Sequence, residues 1–170
     1  MTRWEVPLPD PRLHQSKLQV RPEWIDTNNH MNACYYLAIV KEPAMAAHDS
    51  WDYGEDFRRR TGESNFVIDA DVAYLREMLL GDEITVTTRL VEVDDKRIRV
   101  LFEVINTSRN FLAALVQYRI IHVRLGPPPK VVSMPADLHQ RLQEQLALHR
   151  SVPLPDGVQR LKGFERSRAS

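Results

Sequence analysis

The sequence predicts an α+β fold of two layers, an antiparallel sheet laid against one long helix. Three observations carry this. An apolar run at helical spacing begins at Ala33 and extends to Ala47. Four strand-like segments then follow between Phe66 and Leu125 with no helical pattern among them, and read as antiparallel strands of one sheet. The chain of 170 residues, 43% hydrophobic, is long enough to bury one sizeable core.

Residues 1–17, with Pro7, Pro9 and Pro11 at alternate positions, read as an irregular arm. Leu18–Arg21 alternates as a short first strand, and Pro22, which has no N–H for a ladder, ends it. From Asn32, a suitable N-cap, the period changes. Tyr36, Ile39, Val40, Ala44 and Ala47 recur as one helical stripe. Pro43 inside that stripe either bends a continuous helix, which the helix formers Ala44–Ala47 favour, or starts a second short one. Asp56 to Thr61 reads as a short helical turn closed by Gly62.

Strands are expected over Phe66–Leu75, Asp82–Val93, Arg97–Ile105 and Phe111–Leu125. In the second, Ile84, Val86, Thr88 and Leu90 share a face; in the third, Ile98, Val100, Phe102 and Val104 do. The near-continuous apolar run of the fourth implies burial on both faces. Pro135–Arg150 reads as a peripheral helix with a narrow stripe of Leu138, Leu142, Leu146 and His149. The domain therefore spans residues 18–150, and 151–170, rich in Pro, Arg and Ser, are expected to be a loosely ordered tail. One helix cannot cover every sheet edge, so pairing with further copies, as a homodimer or homotetramer, is expected.

Composition narrows the function. Basic and acidic residues number 23 each, which argues against a nucleic-acid partner held by bulk charge. The single cysteine, Cys34, excludes an intrachain disulfide and reads as a small core residue. No apolar run approaches membrane-spanning length, and the first residues lack a signal pattern, so a cytoplasmic location away from membranes is expected. The stretch Trp24-Ile25-Asp26-Thr27-Asn28-Asn29-His30-Met31-Asn32 is the most specific in the chain. It sets a carboxylate in a polar turn beside a helix start, where backbone N–H groups are free to hold an oxyanion. That combination suits cleavage of an ester or thioester. Asp26 and His30 lack a third ligand at short spacing, so neither a metal nor a cofactor is expected.

This stretch, continuing through Ala33-Cys34-Tyr35-Tyr36-Leu37, resembles the active-site turn and helix start of the hotdog-fold thioesterases, in the 4-hydroxybenzoyl-CoA thioesterase-like group. Asp71–Arg76 followed by Gly81-Asp82, and the hairpin Val91–Ile105, are similar to that group's second strand and central hairpin. Pro22–Asp26 and Asp94–Ile98 look most like betainyl-CoA thioesterases and the thioesterase domain fused to carnitine dehydrogenases; where those carry Tyr-Asn-Gly after the aspartate, this chain has Thr27, Asn28 and Asn29. The resemblance implies a hotdog fold and hydrolysis of an acyl-CoA, with Asp26 as general base or as nucleophile. It also implies active sites at a dimer interface. Ala33 falls at the carbonyl-polarising position, with the backbone N–H groups of Asn32 and Ala33 as oxyanion donors.

His30 either orients the turn and approaches the thioester sulfur or packs to hold the loop. Asn29 is a turn residue in the first place and joins Tyr36, Trp24, Lys96 and Arg97 in the candidate substrate-binding set. Trp24, Tyr35 and Trp51 are aromatic faces suited to a quaternary ammonium, and Arg58, Arg59, Arg60, Lys96, Arg97 and Arg99 are cations suited to coenzyme A phosphates. Two other readings stand beside this one: a non-catalytic acyl-CoA-binding protein, and a hotdog hydratase, whose Asn-Pro turn is missing here.

Overall fold

The computed structural model describes residues 9–163. Its sheet contains β1 (His14–Gln19), β2 (Glu63–Tyr74), β3 (Glu83–Val93), β4 (Arg97–Asn106), β5 (Phe111–Arg124) and β6 (Lys130–Val131). The order across the sheet is β1-β3-β4-β5-β2, every pairing is antiparallel, and β6 adds to β5. The helices are α1 (Ala33–Ala38), α2 (Lys41–Ser50), α3 (Glu55–Thr61) and α4 (Ala136–Arg150). This is the expected α+β architecture, a curled antiparallel sheet with a helical segment over 33–50 and a C-terminal helix.

The expected single helix is broken in two. Ile39 and Val40 form a turn between α1 and α2, which places Pro43 third in α2. The first-turn N–H groups of a helix have no intrahelical acceptor, so the proline sacrifices no bond there. The first strand also lies earlier than expected: His14–Gln19 pairs with β3 over Glu83–Thr88, which shortens the irregular arm. Of that arm, residues 1–8 lie outside the described residues. Its alternation is polar because β1 is an edge strand, buried only at every second position and partially. Gly62 closes α3 in the left-handed region, at φ 69°.

One face of the sheet carries the main core. Ile84, Val86 and Leu90, Ile98 to Val104 at alternate positions, and Ala114, Val116 and Ile120 pack against Tyr36, Ile39, Val40, Ala44 and Ala47. Leu138, Leu142 and Leu146 are fully buried in the same cluster, so α4 is part of the helical layer over β3 and not peripheral to it. On the opposite face Ala73, Leu101, Ile105, Leu112 and Leu115 are covered by Leu161. The segment expected as a loose tail is folded there through Gly163. Arg89 donates to the carbonyls of Val152 (3.1 Å) and Pro153 (3.1 Å), and Gln117 donates to that of Lys162 (3.1 Å). Residues 164–170 of that tail lie outside the described residues.

Two histidines sit where α2 and α4 meet the sheet. His149 Nδ1 accepts from the Leu90 N–H at 2.8 Å, a bond its protonation would break. Burial lowers the pKa of His149, and likewise of His48, from 6.5 to about 4. Because the unfolded chain binds these protons more readily, the two contribute their stability fully above their ordinary value of 6.5 and lose it as pH falls toward 4. Urea titrations across this window should show the unfolding free energy falling by about 1 kcal/mol per pH unit for each histidine, and a flat profile would contradict the assignment.

Candidate active site

The Asp26 loop is built by local pairing. Ile25 and Met31 form an isolated antiparallel bridge. The Asp26 N–H donates to the His30 carbonyl (2.9 Å), and the Asn29 N–H donates to the Asp26 carbonyl (3.0 Å). Asn29 takes a left-handed φ of 61°, a conformation asparagine tolerates. Asp26 Oδ1 accepts the Asn28 N–H at 2.8 Å, an Asx turn, and the His30 N–H at 3.4 Å. Its Oδ2 accepts no hydrogen bond among the described residues, and no described cation pairs with it. The carboxylate is half-buried, with one oxygen fixed and one available.

The helix start lies on the other side of the pinch. Asn32 is the N-cap, its Oδ1 accepting the Cys34 N–H at 3.1 Å. The Asn32 N–H, one of the two expected oxyanion donors, is occupied: it donates to the Trp24 carbonyl at 2.8 Å, continuing the pairing that starts at Ile25 and Met31. The Ala33 N–H takes no acceptor among the described residues, as the first residue of a helix dictates, and Asn32, Ala33 and Cys34 are exposed. Cys34 is thus at the surface and not in the core. Below them the Met31 N–H is anchored on the Met78 carbonyl (2.8 Å), which ties the loop to the sheet end where β3 begins.

The other expected residues separate into those near this loop and helix start and those elsewhere. The His30 ring is exposed and makes no described contact; its backbone, not its ring, braces the loop. Trp24 stacks on Tyr35 with centroids 5.8 Å apart, and the Arg21 guanidinium stands 5.4 Å from the Trp24 ring, so a ligand cation would have to displace it. Trp51 is buried against His48 and His149, away from that pair. Tyr36, expected to line the substrate pocket, is 3% exposed, and burial pushes its phenol up to about 12.

Lys96 and Arg97 are not brought to Asp26 within a subunit. They stand at the opposite end of the ten-residue β4 from the Met78–Asn106 contact, a separation of about 30 Å along the strand. Ile98, Val100 and Phe102 face the helices, so Arg97 points to the other face of the sheet. Both cations are paired with neighbours, Lys96 with Asp95 (3.9 Å) and Arg97 with Asp94 (2.9 Å). Arg58, Arg59 and Arg60 are paired likewise with Glu55, Asp56 and Asp52.

Sequence reasoning missed Tyr74. It closes β2, packs edge-to-face on Tyr36 with centroids 5.3 Å apart, and donates its hydroxyl to the Ala33 carbonyl at 3.1 Å. It is 45% exposed at the helix start, whereas Tyr36 lies beneath it.

A half-buried carboxylate with a free oxygen and a helix-terminal N–H with no acceptor among the described residues are groups suited to attack on a carbonyl and to holding its oxygen. The chain matches the thioesterase-like superfamily over residues 20–160 and belongs to it. It is similar to a betainyl-CoA thioesterase of Pseudomonas aeruginosa, 28% identical over 147 residues that cover 85% of this chain and 91% of that protein. An Agrobacterium fabrum L-carnitine dehydrogenase/betainyl-CoA thioesterase is 31% identical over 85% of this chain, which spans 29% of that longer protein. Among solved structures, a Staphylococcus aureus protein in complex with CoA superposes with a TM-score of 0.76 at 21% identity, over 85% of this chain and 90% of that one. A 1,4-dihydroxy-2-naphthoyl-CoA thioesterase of Synechocystis superposes with a TM-score of 0.66 at 15% identity, over 83% of this chain and 99% of that one.

Proposed function

We propose that this protein hydrolyses an acyl-CoA thioester to the free acid and coenzyme A at the Asp26 loop. The observation that carries the reading is the unpaired Oδ2 of Asp26 on a loop whose closing pairs, Ile25 with Met31 and the Asn32 N–H on the Trp24 carbonyl, draw it toward the unoccupied Ala33 N–H. The thioester carbonyl oxygen accepts from that N–H, which stabilises the negative charge developing there. Asp26 then either removes a proton from an attacking water or attacks the carbonyl itself, giving an anhydride that water opens. In both routes the C–S bond breaks and the thiolate of coenzyme A leaves.

The active unit is a dimer or a higher oligomer of dimers. The opening is flanked by exposed residues, Thr27–His30 and Asn32–Cys34, so a single subunit supplies its floor and not its roof. Beside it β2 is the terminal strand of the sheet, twelve residues long, with Phe66 (41%), Val67 (51%) and Ile68 (55%) exposed. A long apolar edge of this kind calls for a partner strand. Antiparallel pairing of two copies through β2 sets the first half of the partner's strand beside Tyr74 and the opening. Replacing Val67 and Ile68 together by Asp should yield a monomer in sedimentation with turnover largely lost; a dimer retained with full turnover would contradict this interface.

The acyl group is addressed by a thiol-release screen across short, aromatic, long-chain and betainyl thioesters. Betainyl-CoA belongs in it because of the Pseudomonas aeruginosa relative and because the Trp24–Tyr35 stack joins the two ends of the loop. Release of coenzyme A from at least one class supports the reading, and tight binding without release throughout would replace it by a non-catalytic acyl-CoA-binding role.

A further inference from the structure

We infer that Tyr74, held from behind by Arg160 of the C-terminal strap, is a positioning residue that sets the place of the Ala33 oxyanion donor; this rests on the thioesterase reading above. Helix α1 is only six residues long and breaks at Ile39–Val40, so no long helix fixes its first residue. The sheet fixes it instead. Ala33 and Tyr36 lie three residues apart on one face of α1, and Tyr74 addresses both. Its ring packs on Tyr36, and its hydroxyl donates to the Ala33 carbonyl at 3.1 Å.

Tyr74 is in turn the last residue of β2, and the Leu75 and Arg76 N–H groups after it donate to the Ala113 carbonyl of β5 at 2.9 and 3.0 Å. The strap adds a second tie from the far face of the sheet. Arg160 Nη1 donates to the Tyr74 carbonyl at 3.0 Å, and the Lys162 N–H donates to Asp71 Oδ2 at 2.7 Å. Leu161 between them is 1% exposed in the second hydrophobic cluster, against Ala73 beside Tyr74. A segment remote in sequence therefore reaches through β2 to the helix start. Displacing a catalytic donor by a fraction of an ångström weakens transition-state binding far more than ground-state binding.

The test is steady-state kinetics of the wild type, Tyr74→Phe, Arg160→Met and the double variant with one acyl-CoA, beside Asp26→Asn and thermal melts of each. Tyr74→Phe keeps the ring and should lower kcat about tenfold with KM changed less than about twofold and the melt little moved. Arg160→Met removes one exposed hydrogen bond and should lower kcat about threefold. The double variant should be no slower than Tyr74→Phe, because without the hydroxyl the strap has nothing to transmit. An unchanged kcat in Tyr74→Phe, a raised KM with kcat retained, or additive losses would each overturn the inference. Full turnover in Asp26→Asn would instead overturn the thioesterase mechanism itself, so the two failures are told apart.

Discussion

Replacing Asp26 by Asn should lower kcat by about a hundredfold to ten-thousandfold, the range for loss of a positioned general base, with the melting temperature almost unchanged. The amide is isosteric, and its oxygen can still accept the Asn28 and His30 N–H groups that Oδ1 now holds. What it loses is the negative charge on the free oxygen. Asp26→Ala also removes the Asx-turn acceptor and should lose a further increment of stability of about 1 kcal/mol. Comparing the two therefore separates the chemical role of the side chain from its structural one. A KM that rises while kcat holds would mean that Asp26 only binds substrate.

The largest expected loss of stability lies on the opposite face of the sheet. Arg89 and Glu103 form a 2.5 Å ion pair with both side chains almost completely enclosed. Arg89 also donates to the Val152 and Pro153 carbonyls at the point where the strap leaves α4. Burial is the main cause that raises the Glu103 pKa, and Arg89 opposes that rise. Arg89→Met leaves a carboxylate buried without its cation and two carbonyls without their donor, and should cost about 3–5 kcal/mol in a denaturant titration. The double change Arg89→Met with Glu103→Leu should recover most of that loss, since a buried ion pair is close to neutral against apolar residues of similar volume. If the single variant unfolds at the wild-type denaturant midpoint, the pair is not the enclosed one described here.

What could be read in advance divides by range along the chain. The Asp26 loop was legible because its bonds are local: the Asx turn, the left-handed Asn29 and the Asn32 cap each join residues within four positions. The strands β3 and β4 were legible because side-chain type alternates along them, and β5 because its apolar run is continuous, in keeping with its burial on both faces. The alternation of side-chain type in β4 likewise implied that Arg97 and Arg99 stand on the face away from Ile98 and Val100. Pro43 misled because its place within the helix, and not its presence, decides its cost. The occupied Asn32 N–H was hidden, since its acceptor at Trp24 exists only once the loop has closed on itself. Tyr74 on Ala33 and Arg160 on Tyr74 join residues 41 and 86 positions apart, and no local pattern marks either.

The central claim is that a thioester carbonyl lies between the Asp26 carboxylate and the Ala33 N–H. It is tested most directly by a crystal structure of the Asp26→Asn variant with a non-hydrolysable acyl-CoA ketone analogue, in which CH2 replaces the sulfur. The account predicts the analogue's carbonyl oxygen about 2.7–3.1 Å from the Ala33 nitrogen, with the residue-26 side chain against the carbonyl carbon. An acyl group seated elsewhere, with the Ala33 N–H turned to solvent, would contradict it.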